Sequence, residues 1–68
     1  MTDTLRNGAI VKAEIRVKDV TYVTAFFNGE YVCWCIDADR NAYFGRYFGA
    51  MGYKRALKVM FERAERLL

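Results

Sequence analysis

From Ala9 to Lys18 apolar and polar residues alternate, with Val11, Ala13, Ile15 and Val17 on one side and Lys12, Glu14, Arg16 and Lys18 on the other. A period of two predicts a half-buried antiparallel strand with one wet face, over about 9–18. Two runs rich in β-branched and aromatic residues follow, about 20–27 and 30–37, on either side of Asn28-Gly29. Both turn residues tolerate the positive φ of a two-residue type I′ turn, so the pair predicts a tight hairpin. Its register sets Phe27 opposite Glu30, Ala25 opposite Val32 and Val23 opposite Trp34. The turn at Lys18-Asp19 sets Val17 opposite Val20 and Ile15 opposite Tyr22. After the polar turn Asp37-Ala38-Asp39-Arg40-Asn41, a fourth strand over about 42–48 is expected, and if that loop keeps the parity Gly45 lies opposite Trp34. An indole lying across a strand glycine compensates for its missing side chain.

Beyond Gly49 the period becomes helical. Tyr53, Leu57, Met60, Phe61, Ala64, Leu67 and Leu68 form one stripe, and Lys54, Arg55, Lys58, Glu62, Arg63, Glu65 and Arg66 lie off it. The pattern predicts an α+β fold: a four-stranded antiparallel β-meander packed on one C-terminal α-helix over about 51–67. Residues 1–8 are polar, lack a period and end at the turn signal Asn7-Gly8, so they are expected to form a flexible leader to a single domain over 9–68.

Carrying the parity across the sheet divides it into two faces. One holds Val11, Ala13, Ile15, Val17, Val20, Tyr22, Thr24, Phe26, Tyr31, Cys33, Cys35, Phe44 and Phe48, and the helix is its cover. The other holds Lys12, Glu14, Arg16 and Lys18 at one side and Val23, Phe27, Val32, Trp34, Ile36, Tyr43 and Tyr47 beyond them. With five Tyr, five Phe and one Trp among 68 residues, this second face is expected to stay open, and an open apolar face marks an interaction site. Two other readings stand beside that one. A one-residue slip would return Trp34 to the core, and Arg46 warns of it, because the register points it to the helix side unless the fourth strand is an edge. Alternatively, the open face is a homodimer interface that completes the small core.

Catalytic chemistry finds little to work with. The chain has no His and no Ser, and Thr2, Thr4, Thr21 and Thr24 have no evident base beside them. No phosphate-binding Gly-rich loop occurs, and Asp19, Asp37 and Asp39 lack the donor spacing of a calcium loop. Cys33 and Cys35 are poor disulfide partners two residues apart on a strand, and too few to build a zinc site. The expectation is a binder without enzymatic activity, cofactor or metal. Reduced thiols, no signal-peptide pattern and no run long enough to cross a membrane lead to the expectation of a cytoplasmic protein that does not engage membranes.

The net charge of +3 allows an acidic protein surface or nucleic acid as partner. Lys12, Arg16, Lys18, Phe27, Trp34, Tyr43 and Tyr47 are the candidate contact residues, cations for phosphate or carboxylate and rings for stacking or hot-spot burial. The outer helix face, with Lys54, Arg55, Lys58 and Arg63, is the alternative surface. The segment Asn28-Gly29-Glu30-Tyr31-Val32-Cys33-Trp34, then Tyr43-Phe44-Gly45-Arg46-Tyr47-Phe48 and a helix bearing Ala56 and Ala64, resembles the plant ethylene-response-factor DNA-binding domain and its phage endonuclease and integrase relatives. The resemblance covers about half the chain. It implies a three-stranded sheet on one helix, with the sheet inserted into the DNA major groove. This chain departs from it in carrying few Arg on its second and third strands, where the family holds its DNA-contacting residues. The expected function is therefore that of a small phage or mobile-element protein, similar in character to anti-CRISPR inhibitors, which binds and blocks a host protein or nucleoprotein complex. DNA binding through the open face is the alternative.

Overall fold

The computed structural model describes residues 3–68; of the leader and the threonines named above, Met1 and Thr2 lie outside it. Four strands, β1 (Ile10–Val17), β2 (Val20–Phe27), β3 (Glu30–Ile36) and β4 (Ala42–Tyr47), precede one helix, α1 (Tyr53–Glu65). They form a single antiparallel sheet in the order β1-β2-β3-β4, the expected meander, which makes β4 an edge. The hairpin at Asn28-Gly29 forms with both residues at positive φ, 50° and 80°. It fixes Phe27↔Glu30, Ala25↔Val32 and Val23↔Trp34 as the sequence predicts. Val17↔Val20 and Ile15↔Tyr22 pair as well.

Two irregularities change which side chains share a face. Between Val11 and Ala13 the β1–β2 register shifts, so Val11 pairs with Ala25 while Ala13 pairs with Thr24. Val11 therefore leaves the helix side, and the alternation expected for β1 holds only from Ala13 onward. Between β3 and β4, Cys33 pairs with Arg46 but Cys35 pairs with Tyr43, which leaves Phe44 as the extra residue, at φ 55°. The bulge brings Tyr43 to the helix side, where the unbroken parity had put it with Trp34. It leaves Gly45 beside the indole as expected. A Cβ on Gly45 would lie 2.5 Å from Trp34 Nε1.

The helix covers the face bearing Thr24 and Cys33 through Met60 and Ala64 of the expected stripe, with Ala56 added beside them. Its buried residues are Ala56, Met60 and Ala64, at strict i, i+4 spacing. Small residues on the contact line let the helix approach the strands, and Thr24 Oγ1 donates to Met60 Sδ at 3.6 Å. Phe61 and Leu68, expected in the stripe, remain exposed. The helix is also shorter than 51–67, because Gly52 caps it without a side-chain hydrogen bond and the chain turns at 50–51.

The second face is not open. Residues 3–9 fold back on it in a short hairpin through the Asn7-Gly8 turn: Leu5 N–H donates to Ala9 O at 3.0 Å, and Val11 N–H to Asp3 O at 2.8 Å. Leu5 and Ala9 are buried against Val23, Ala25, Val32, Trp34 and Ile36, with Val11, Phe27 and Ala42 packed around them. The segment expected to be a flexible leader thus supplies part of a second hydrophobic layer, and the sheet is covered on both sides. Trp34 is 4% exposed with its register intact, so the indole is buried by a cover and not by a slip.

Arg40 ties this hairpin down. Its guanidinium contacts the carboxylates of Asp3 and, at 3.1 Å, Glu14, while Arg6 Nε donates to Asp39 O at 2.8 Å. Partly exposed ion pairs of this kind are worth little, and salt screens them. Arg40→Gln is expected to lower stability by about 0.5–1 kcal/mol in low salt and by less in high salt, read from urea unfolding at the two ionic strengths.

Candidate functional surface

The strands place most large side chains beneath one cover or the other, and β4 is the exception. Every residue of β4 after Ala42 is exposed, because α1 packs across β1, β2 and β3 and leaves the edge strand largely bare. Tyr43, Phe44 and Tyr47 are 46%, 80% and 57% exposed. Tyr47 leans edge-on against the buried Trp34, with ring centroids 6.1 Å apart. Tyr43 is anchored at the other end: its hydroxyl donates to Asp37 Oδ2 at 2.9 Å, which raises the phenol's pKa above its ordinary value. The Asp37 carboxylate, held chiefly by the Asn41 backbone N–H and also by Tyr43, lies below its usual range. Phe44 is the unusual residue. A bulky side chain at φ 55° is a backbone outlier costing on the order of 1 kcal/mol, and bulges re-aim side chains. Here the bulge holds an apolar ring in water.

Phe44 forms one wall of a pocket of about 540 Å³ between the sheet and the C-terminal end of α1. Tyr22 and Cys35 make its floor, and Arg63, Arg66 and Leu67 close it from the helix. Arg63 lies over the Tyr22 ring, 6.0 Å from its centroid, and its Nη1 donates to Cys33 O at 3.5 Å. Further along β4, Arg46 sits 5.7 Å from the centre of the Phe48 ring. Among the described residues, Arg46, Arg63 and Arg66 make no ion pair. Burial raises the pKa of the Cys33 thiol, with Arg63 beside it only partly offsetting the effect, so Cys33 is a packed residue and a poor nucleophile.

Charge is distributed in the same direction. From Ala42 onward the chain carries six basic residues and two acidic ones, against five and six before it. The large hydrophobic residues exposed among the described residues all lie from Tyr43 onward. Exposed rings and the net positive charge therefore gather from β4 onward.

The candidate residues taken from the alternating pattern divide accordingly. Lys12, Arg16 and Lys18 are exposed on β1, at the far edge of the sheet from β4, with Glu14 among them and Arg16 loosely paired to Asp19 at 4.0 Å. They do not meet the aromatic residues. Phe27 is half-buried and packs against Trp34 at 5.6 Å between centroids, and Trp34 is core. Tyr43 and Tyr47 alone among the seven lie on the exposed aromatic strand, on opposite faces of it. Phe44, Arg46, Arg63 and Arg66 complete that surface. Arg46 was marked in the sequence by its orientation, whereas no signal announces the bulge at Phe44, since αL positions ordinarily carry Gly or Asn.

The face that the DNA-binding-domain resemblance would set in a major groove lies under Leu5 and Ala9. Among the described residues no helix is long and apolar enough to cross a membrane, and no group of three or more metal-ligating side chains assembles. Comparison with protein-family models, with curated proteins and with solved structures found no match for this chain.

Proposed function

We propose that this protein is a non-catalytic binding module that occludes a site on a protein or nucleoprotein partner, in the manner of the small inhibitors carried by phages and mobile elements. The contact surface is β4 with the adjoining side of α1. One observation carries the reading: a strand whose residues from Tyr43 to Tyr47 are all exposed, with Phe44 held in water by a bulge. Tyr and Arg dominate interface hot spots because they bring large contact area with a polar handle, and both are here. The unpaired arginines favour an acidic partner surface. The absence of His and Ser from the chain and the buried state of Cys33 support a role without covalent chemistry.

The reading is tested by immobilising the protein and its Phe44→Ala/Arg46→Ala variant, passing host-cell extract over both with and without nuclease, and quantifying what each retains. A partner held by the native protein and reduced at least about tenfold on the variant is expected, as for loss of a hot-spot pair. A partner retained equally by this variant, but lost by Lys12→Gln/Arg16→Gln/Lys18→Gln, would return the contact surface to β1 and overturn the proposal.

A further inference from the structure

We infer that the groove between β4 and α1 binds single-stranded nucleic acid, with a base seated in the pocket beside Phe44 and phosphates on Arg46, Arg63 and Arg66. The inference rests on β4 being the contact surface and names the chemistry of what that surface takes. Three features of the groove point the same way. Arg63 and Arg66 line it from the helix side and Arg46 stands on β4 across from them; none of the three makes an ion pair among the described residues, and uncompensated guanidinium groups flanking a groove attract a polyanion. One ring is available for stacking: Phe44 is 80% exposed and walls a pocket of about 540 Å³ with room for one base, while Tyr22 on the floor is already covered by Arg63. Bases stack on such rings whatever their sequence, which suits a surface with few directional hydrogen-bonding side chains.

The edge strand itself argues against a peptide in that groove. A peptide adding to β4 would need a regular row of backbone donors and acceptors, and the bulge at Phe44 interrupts that row. A duplex keeps its bases stacked on one another and offers none to Phe44. Single-stranded nucleic acid needs neither a regular edge nor a groove-filling helix. It uses rings and cations, which are the groups that β4 and α1 present.

The test is fluorescence anisotropy of an end-labelled oligothymidylate of about twelve nucleotides, long enough for one site, titrated with the whole protein between about 50 and 200 mM salt. Three exposed-site variants follow the native protein, each checked for the native circular dichroism and Trp34 emission. With three phosphates neutralised, log K is expected to fall against log salt with a slope of about −2. Phe44→Ala is expected to weaken binding about tenfold or more with the slope unchanged, as for loss of a stacked base. Arg66→Gln is expected to weaken binding and flatten the slope by about 0.7. Arg16→Gln, at the far edge of the sheet, changes neither.

No binding at the lowest salt would overturn the inference, as would an equal loss from Arg16→Gln and Arg66→Gln or equal affinity for a duplex of the same length. Capture of an acidic Glu-Tyr peptide with the same variant pattern, where the oligonucleotide fails, would overturn it in favour of a peptide ligand. None of these results touches the retention of a partner through Phe44 and Arg46, so failure here is distinct from failure of β4 as the contact surface.

Discussion

Trp34→Ala is expected to leave much of the protein unfolded at room temperature. The indole is 4% exposed and fills the layer between the sheet and the folded-back N-terminal segment, with Phe27 and Tyr47 against its sides and Gly45 against its edge. Gly45 leaves no side chain to collapse into the vacated space, and Leu5 and Ala9 are held by their own hairpin. Such truncations cost about 3–5 kcal/mol when the site cannot relax. A chain of this size has about 3–10 kcal/mol in total. Trp34→Phe, which keeps a ring in the layer, should cost clearly less. Urea unfolding followed by far-ultraviolet circular dichroism checks both, and a loss below about 1 kcal/mol for Trp34→Ala would be the signature of a surface indole.

Gly52→Ala is the second large effect, and it acts through one methyl group. A Cβ at Gly52 would sit 2.2 Å from Phe48 O and 2.4 Å from Phe48 Cβ. The backbone at Gly52, φ −93° and ψ 21°, suits alanine, so the cost is purely steric. Phe48 cannot easily yield, because its N–H donates to Tyr31 O at 2.9 Å and extends the β3–β4 pairing. Helix and strand end would have to separate. Overpacking commonly costs about 1–3 kcal/mol, and a clash with backbone belongs at or above the top of that range. The measurement is the urea midpoint together with helical ellipticity at low denaturant. A variant within about 0.5 kcal/mol of the native protein would contradict the close approach of α1 to the end of β4.

Much of this architecture is legible in the residues, and the parts that are not share a physical cause. Asn28-Gly29 determines the β2–β3 register because its turn geometry permits one pairing, whereas Gly45 beside Trp34 depends on the separate loop at 37–41. The two bulges escape a parity argument because each inserts one residue whose backbone is set by its neighbours in space. Phe44 adopts positive φ without the Gly or Asn that would announce it. The helix stripe identifies Met60 and Ala64 but misses Ala56, because close packing on a sheet favours small residues over the larger Tyr53, Phe61 and Leu68 that stay exposed. Leu5 is a single apolar residue in a polar segment, too little for any period, yet it closes the face that the alternating pattern leaves open. Once that face closes, the exposed rings lie at the sheet's uncovered edge rather than on its second face, and the basic row of β1 is separated from the rings it was expected to join.

We propose that the β4–α1 groove is the working surface, with the Trp34 face closed by the N-terminal hairpin. The most direct test is a proton–nitrogen correlation spectrum of the labelled protein, titrated with the same oligothymidylate. The expected result is that shifts concentrate at residues 43–48 and 60–67 and spare residues 12–18. Shifts concentrated at residues 12–18 and at Leu5 and Phe27 would show instead that the sheet's second face is open and is the surface that binds.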